Sequence, residues 1–284
     1  MINILPPEII IKIFDYLDHE ALMKVYKYDD YNNFQSIIKN NVWSNIIIKF
    51  LRNKRIQKFV DDKWINCFVK YNLSSSEINN DYIKYFSHCH TLDLYNCNNL
   101  MTNCTKYLSN CHTIELSYNN NIIDEDIIYL QRCHTVILIN CSRLTDKCTE
   151  YLTNCHKVDL TFCNITDEGA KKLSNCKILI LGQTKITNKC IEYFINCNEL
   201  DITETNIIDS DLKYLQNVNK LNISFCKNIT LNAIQYLKNI KILNVEECPK
   251  IDLEYIKQFY PNIKLERRIP NNKLASEDRY YEFL

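Results

Sequence analysis

Residues 90–111 read HTLDLYNCNNLMTNCTKYLSNC, residues 112–133 read HTIELSYNNNIIDEDIIYLQRC, and residues 134–155 read HTVILINCSRLTDKCTEYLTNC. The three segments align without a gap, and five further units of 20 to 22 residues carry the pattern on to Tyr260. Each unit opens with an alternating apolar pair: Leu92/Leu94, Ile114/Leu116, Val136/Leu138, Val158/Leu160, Leu179/Leu181, Leu200/Ile202, Leu221/Ile223 and Leu243/Val245. Period-two alternation predicts a short strand. A single apolar residue follows (Leu100, Ile122, Leu144 in the first three units), and then a stretch of helical character with an inward Leu or Phe eight positions later, such as Leu108, Leu130 and Phe194. Recurrence at a fixed step of this length predicts a solenoid, an α/β stack of strand-and-helix units.

Most of the 15 cysteines obey the same step. Cys89, Cys111, Cys133 and Cys155 form one column; Cys97, Cys141, Cys163, Cys226 and Cys248 form a second, with Asn119, Thr184 and Thr205 at its missing steps. Cys104, Cys148 and Cys190 belong to a third, and Cys67 lies outside the period. Repeating positions argue for thiols packed as small apolar groups and against a disulfide framework, which an odd number cannot complete. Dipeptides Cys-His at 89–90, 111–112, 133–134 and 155–156 raise the question of a metal. No Cys-x2-Cys pair is present to chelate from one loop, and no metal or cofactor is expected.

The pattern strongly resembles the cysteine-containing subtype of the leucine-rich repeat, over about two thirds of the chain. The resemblance implies a horseshoe with a parallel sheet on its concave face and helices on its convex face, and it implies that Cys97 and its equivalents take the buried place where this family puts an Asn or Cys that bonds the backbone at the bend after the strand. Residues flanking each inward pair should then face the concave surface and carry recognition. They include Asp93, Tyr95, Glu115, Ile137, Asp159, Ile180, Asp201 and Asn222, with Tyr118, Phe162 and Phe225 beyond the strand ends. An acidic stripe with apolar anchors suits a protein partner with a basic surface.

Composition narrows the field of functions. Lys+Arg 34 balances Asp+Glu 34, so a binder of nucleic acid by counterion release is not expected. Two glycines leave no phosphate loop, dinucleotide fingerprint or nucleophile elbow, and no acid–base constellation is recognisable, so catalysis is not expected either. Apolar runs such as Ile46–Ile48 stop at lysines, and no membrane span or secretory signal is expected, which suggests a cytoplasmic or nuclear monomer.

The first 50 residues lack the period. The stretch LPPEIIIKIFDYLDHEALMKV, residues 5–25, has prolines where a helix starts and Ile9, Ile10, Ile13, Phe14 and Leu17 at helical spacing. It resembles the opening of an F-box, and Val42, Trp43 and Ile46 resemble its closing helix, so a small all-helical module is expected over residues 1–50. Residues 51–77 read as a helical connector, 78–265 as the solenoid with its caps, and 266–284 as a tail. An F-box followed by cysteine-type repeats is similar to the substrate receptors of SCF-type ubiquitin ligases. That resemblance implies an adaptor-binding surface of Leu5, Pro6, Pro7, Ile10, Ile13, Phe14 and Leu17, linkage to a cullin and a RING protein, and substrate held by the repeats. The alternative is an interaction scaffold without ligase association.

Overall fold

A computed structural model describes residues 69–237 and 239–266. The F-box-like module, most of the connector and the tail beyond Glu266 lie outside the described residues. Ten strands form one parallel sheet in strict chain order. They are β1 (Lys70–Asn72), β2 (Thr91–Asp93), β3 (Thr113–Glu115), β4 (Thr135–Ile137), β5 (Lys157–Asp159), β6 (Ile178–Ile180), β7 (Glu199–Asp201), β8 (Lys220–Asn222), β9 (Ile242–Asn244) and β10 (Lys264–Leu265). Register follows the sequence step without slip: Leu92 pairs with Ile114, Ile114 with Val136, and Val136 with Val158. Equivalent residues therefore stand one above another along the whole stack.

The core is built from those columns. Leu92, Ile114, Val136, Val158, Leu179 and Leu221 point inward from the strands, and Leu108, Leu130, Leu152, Leu173 and Phe194 close the core from the convex side. All fourteen described cysteines are free and buried. The post-bend column donates to backbone carbonyls, from Cys97 Sγ to Leu73 O at 3.1 Å, Cys141 to Leu116 O at 3.3 Å, and Cys163 to Leu138 O at 3.0 Å.

Two sequence expectations are corrected. The solenoid begins before residue 78, because Lys70–Asn72, assigned to the connector, is the first strand of the sheet. Tyr71 fills the inward place that Leu takes elsewhere, fully buried with its ring edge-on to Phe86 at 5.0 Å. On the convex face, 3-10 turns carry much of the backbone, as at Cys104–Tyr107, Cys148–Tyr151 and Asn188–Phe194. The described α-helices are short: α1 (Asn80–Ile83), α2 (Asp124–Ile127), α3 (Asp167–Ala170) and α4 (Leu253–Phe259). A repeat of 21 or 22 residues leaves few residues for the return, and the steeper rise of a 3-10 turn spans it with fewer than an α-helix needs.

Neighbouring repeats are bolted where the chain enters the convex segment. Asp124 accepts from Thr145 N at 2.8 Å and Thr145 Oγ1 at 2.6 Å; Asp167 does the same for Thr187 at 2.7 and 2.6 Å, and Asp209 for Thr230 at 2.7 and 2.5 Å. Asp146 holds Thr166, the N-cap of α3, at 2.7 and 2.5 Å. A Cβ on Gly169 would collide with that Asp146 carboxylate and touch its backbone. In an open helix Gly→Ala stabilises by about 1 kcal/mol. Here the sign is expected to reverse: Gly169→Ala should lower stability by roughly 1–2 kcal/mol through the displaced Asp146 bonds, read by urea unfolding. A variant as stable as wild type would remove Asp146 from the list of repeat-to-repeat ties.

Candidate functional site: the concave sheet face and its rim

On a pleated strand the residue between two inward neighbours must face outward. Asp93, Glu115, Ile137, Asp159, Ile180, Asp201 and Asn222 accordingly form one column down the concave face. The column is recessed: Asp93, Glu115, Ile137 and Asp159 are buried, while Ile180, Asp201, Asn222 and the neighbouring Tyr95 are half-buried. Strands spaced about 4.8 Å apart crowd the side chains that share their surface.

The polar members also hold the backbone. Asp93 Oδ1 accepts from Tyr95 N at 2.9 Å, Glu115 Oε1 from Ser117 N at 2.6 Å, and Asp159 Oδ1 from Thr161 N at 3.0 Å and Thr161 Oγ1 at 2.7 Å. Asp201 repeats the arrangement on Thr203, and Asn222 on Ser224. Each is a side-chain-to-backbone turn two residues long, the bend that takes the chain off the sheet. Sequence reading assigned these residues to recognition and did not foresee this second duty. A usable signal was present in the Thr or Ser two positions after Asp159, Asp201 and Asn222.

Burial changes the charge of the column. Desolvation, with Asp93 alongside, pushes the Glu115 carboxyl up to about 8, and desolvation pushes Asp159 up to about 6. At neutral pH the face is thus less negative than a count of its acids implies.

Aromatic rings stand at the rim where the bend ends. Tyr95 and Tyr118 lie with ring centroids 5.0 Å apart, and Phe162 and Phe225 are 41% and 39% exposed. Tyr118, Phe162 and Phe225 have φ of 62°, 61° and 60°, in the left-handed region. Asn96 and Asn140 occupy the same place with φ of 53° and 54°. Asn tolerates that conformation, whereas a bulky residue is strained by about 1–2 kcal/mol. Backbone bonds enforce the bend regardless, from Tyr118 N to Ile139 O at 2.8 Å and Phe225 N to Glu246 O at 2.8 Å. Phe162 and Phe225 leave about two fifths of their surface open in a strained place, and that surface is available to a partner.

Among the described residues no group of three or more His, Cys, Asp or Glu is placed to hold a metal ion. The buried thiols are held neutral, with desolvation raising Cys97 to about 11 and Cys104 to about 12, so they do not form a reactive set. No described helix is long and apolar enough to cross a membrane. The adaptor-binding residues Leu5, Pro6, Pro7, Ile10, Ile13, Phe14 and Leu17 lie outside the described residues.

Comparison with known proteins agrees with this architecture. Residues 153–174 match the family model of the leucine-rich repeat. The internalin C2 structure of Listeria monocytogenes superposes with a TM-score of 0.52 at 19% identity, covering 64% of this chain and 82% of that one. A second Listeria monocytogenes internalin, inlF, gives 0.46 at 14% identity over 73% of this chain and 70% of its own. A complex of Latrophilin 3, Unc5D and the leucine-rich repeats of FLRT2 gives 0.42 at 15% identity, over 71% and 83%. No curated protein matches the chain. The described residues are a leucine-rich-repeat solenoid with a ten-stranded parallel sheet.

Proposed function

We propose that the chain is a non-enzymatic receptor that joins a protein substrate, held on the concave face, to a ubiquitin-ligase adaptor, bound through residues 1–50. Solenoids of this kind offer long concave surfaces for protein recognition. Phe162 and Phe225, exposed in the left-handed region, support substrate binding at the rim, since Asn there would relieve the backbone. The ligase half rests on the resemblance of residues 5–25 to an F-box. A ligase receptor needs no catalytic group of its own, because it works by positioning one protein against another.

Reversing Asp93, Glu115 and Asp159 is a poor probe, because the same carboxylates hold the bends. A single co-purification with three chains separates the two halves. The first is wild type, the second Leu5→Ala/Pro6→Ala/Ile13→Ala, and the third Phe162→Asn/Phe225→Asn. The second chain is expected to lose adaptor and cullin recovery by about tenfold or more, the loss of roughly 1.4 kcal/mol or more of contact. The third should keep adaptor and cullin, lose bound substrate, and melt no lower than wild type. A folded wild type that recovers neither adaptor nor cullin would leave the interaction scaffold as the function. Substrate recovery unchanged in the third chain would move recognition off the aromatic rim.

A further inference from the structure

The edge of the sheet where each repeat enters its strand carries a single-file stack of imidazoles. His90, His112, His134 and His156 lie with ring centroids 4.6, 4.5 and 4.4 Å apart and planes within 16° of parallel. The slip-free register imposes this, since His112 N donates to His90 O, His134 N to His112 O and His156 N to His134 O, each at 2.9 Å. Nδ1 of His90, His112 and His134 lies 3.0, 3.2 and 3.2 Å from the hydroxyl of the following Thr. All four rings are exposed, so with Nδ1 turned to the chain, the Nε2 side is the one offered to solvent.

The charges around the stack are of one sign. Lys70 stands beside His90, Arg132 two residues before His134, Lys157 after His156, and Lys177 continues the column one repeat further. The convex segments arriving at the stack add His88 and Arg132, and the thiols of Cys89, Cys111, Cys133 and Cys155 beneath it are buried and neutral. The histidine column continues through Lys177, Asn198 and Asn219; in the adjacent column, which runs through Thr91, Thr113, Thr135 and Lys157, the first carboxylate is Glu199 in β7, and Glu266, at the far end, pairs with Lys220 and Lys264. Next to the last imidazole the surface opens into a groove of about 450 Å³ lined in part by His156, Lys177, Asn196 and Asn217.

We propose that this edge is a docking surface for an acidic segment of a partner protein, engaged as the imidazole stack takes up protons. Stacked neutral imidazoles tolerate a spacing of 4.4–4.6 Å, but imidazolium ions at that spacing repel, and carboxylates laid along the edge neutralise them. Protonation and docking therefore promote each other, as linked equilibria must. Partial burial and neighbouring charge hold His90, His112 and His134 below the ordinary histidine value, so these three rings are neutral at neutral pH and take up protons only as the pH falls. Residues 87–91, 109–113, 131–135 and 153–157 contain no Phe, Tyr or Trp, and the faces of the inner imidazoles are covered by one another, so bases of a single-stranded nucleic acid would find few open ring faces to stack on.

The test measures anisotropy of labelled poly-L-glutamate with the full chain near pH 7.5 and near pH 5.5, and of labelled poly-A RNA in parallel. The comparison variant is His90→Asn/His112→Asn/His134→Asn/His156→Asn, and Asn198 and Asn219 already occupy the equivalent place in later repeats. Wild type is expected to bind polyglutamate about tenfold more tightly at the lower pH, and the folded variant to show no such gain. Should the fourfold variant not fold, His112→Asn alone is expected to reduce the gain. Lys157→Gln/Lys177→Gln should weaken binding at both pH values and leave the gain in place. Equal affinity at the two pH values, absence of binding at both, or a gain undiminished in the histidine variants would overturn the proposal. Tighter capture of RNA than of polyglutamate would overturn the partner class.

Discussion

Asn119→Ala is expected to lower the free energy of unfolding by about 3 kcal/mol, while Asn119→Cys at the same position costs roughly 1 kcal/mol. Asn119 stands in the post-bend column, 1% exposed, and its Nδ2 donates to Leu94 O and Leu116 O at 2.8 Å each, tying two repeats through one amide. Truncation leaves the Leu94 carbonyl without this donor and opens a void in a close-packed interior, and each buried unsatisfied polar group costs about 1–3 kcal/mol. Cysteine retains a donor of the right reach. In the flanking repeats Cys97 and Cys141 donate to Leu73 O at 3.1 Å and Leu116 O at 3.3 Å from the same place. It also deletes Asn119 Oδ1, a buried acceptor with no partner among the described residues. Urea unfolding followed by circular dichroism ranks the three chains. Ala within about 0.5 kcal/mol of wild type, or Cys as damaging as Ala, would show that the column fills space and nothing more.

The repeat was legible because each place in it admits a narrow class of residue, and the places recur at a fixed step. What the step does not encode is the local hydrogen-bond pattern, so α-helix and 3-10 turn could not be told apart from the spacing of Leu108, Leu130 and Leu152. The first repeat was missed because Tyr71 replaces the usual aliphatic residue. Its place could have been found from Tyr71/Leu73 and Ser76, each 21 residues before Leu92/Leu94 and Cys97. Ser76 Oγ lies 3.6 Å from Cys97 Sγ, the contact that equivalence predicts. Alternation put Asp93, Glu115, Ile137 and Asp159 in one column, as the strand register does, yet it did not foretell their burial, because crowding between strands depends on the stack and leaves no mark in a single repeat. The left-handed bend was hinted at by Asn96 and Asn140 but obscured where Tyr118, Phe162 and Phe225 take the same place.

Burial of the concave acids has a consequence opposite in sign to that of the histidine edge. Glu115 is 6% exposed, with Asp93 on the adjacent strand and Asp159 two strands on, and its carboxyl is pushed up to about 8 from an ordinary 4.5. Its folded-state value exceeds its unfolded value, so between those two pH values the native state binds the extra proton. Stability contributed by the neutral acid is then complete below pH 4.5 and falls as pH rises toward 8. At about 1.4 kcal/mol per unit the upper bound exceeds 4 kcal/mol, and local relaxation reduces the expected loss to about 2–3 kcal/mol. Glu115→Gln keeps an acceptor for Ser117 N and carries no charge. Its amide can also face Asp93 in the way Asn222 Nδ2 meets Asp201 Oδ2 at 2.7 Å. The variant is therefore expected to be about 2–3 kcal/mol more stable than wild type near pH 8.5 and equal to it near pH 4.5. Thermal and urea unfolding across that range give both numbers, and parallel stability curves for the two chains would show that Glu115 ionises freely in the folded protein. The same proton matters for recognition. A basic side chain set against Glu115 favours the ionised acid, so docking of a cationic partner should release a proton and tighten as pH rises, and Glu115→Gln should remove the part of that dependence that falls near pH 8, leaving the part from Asp159 near pH 6 and the aromatic rim untouched.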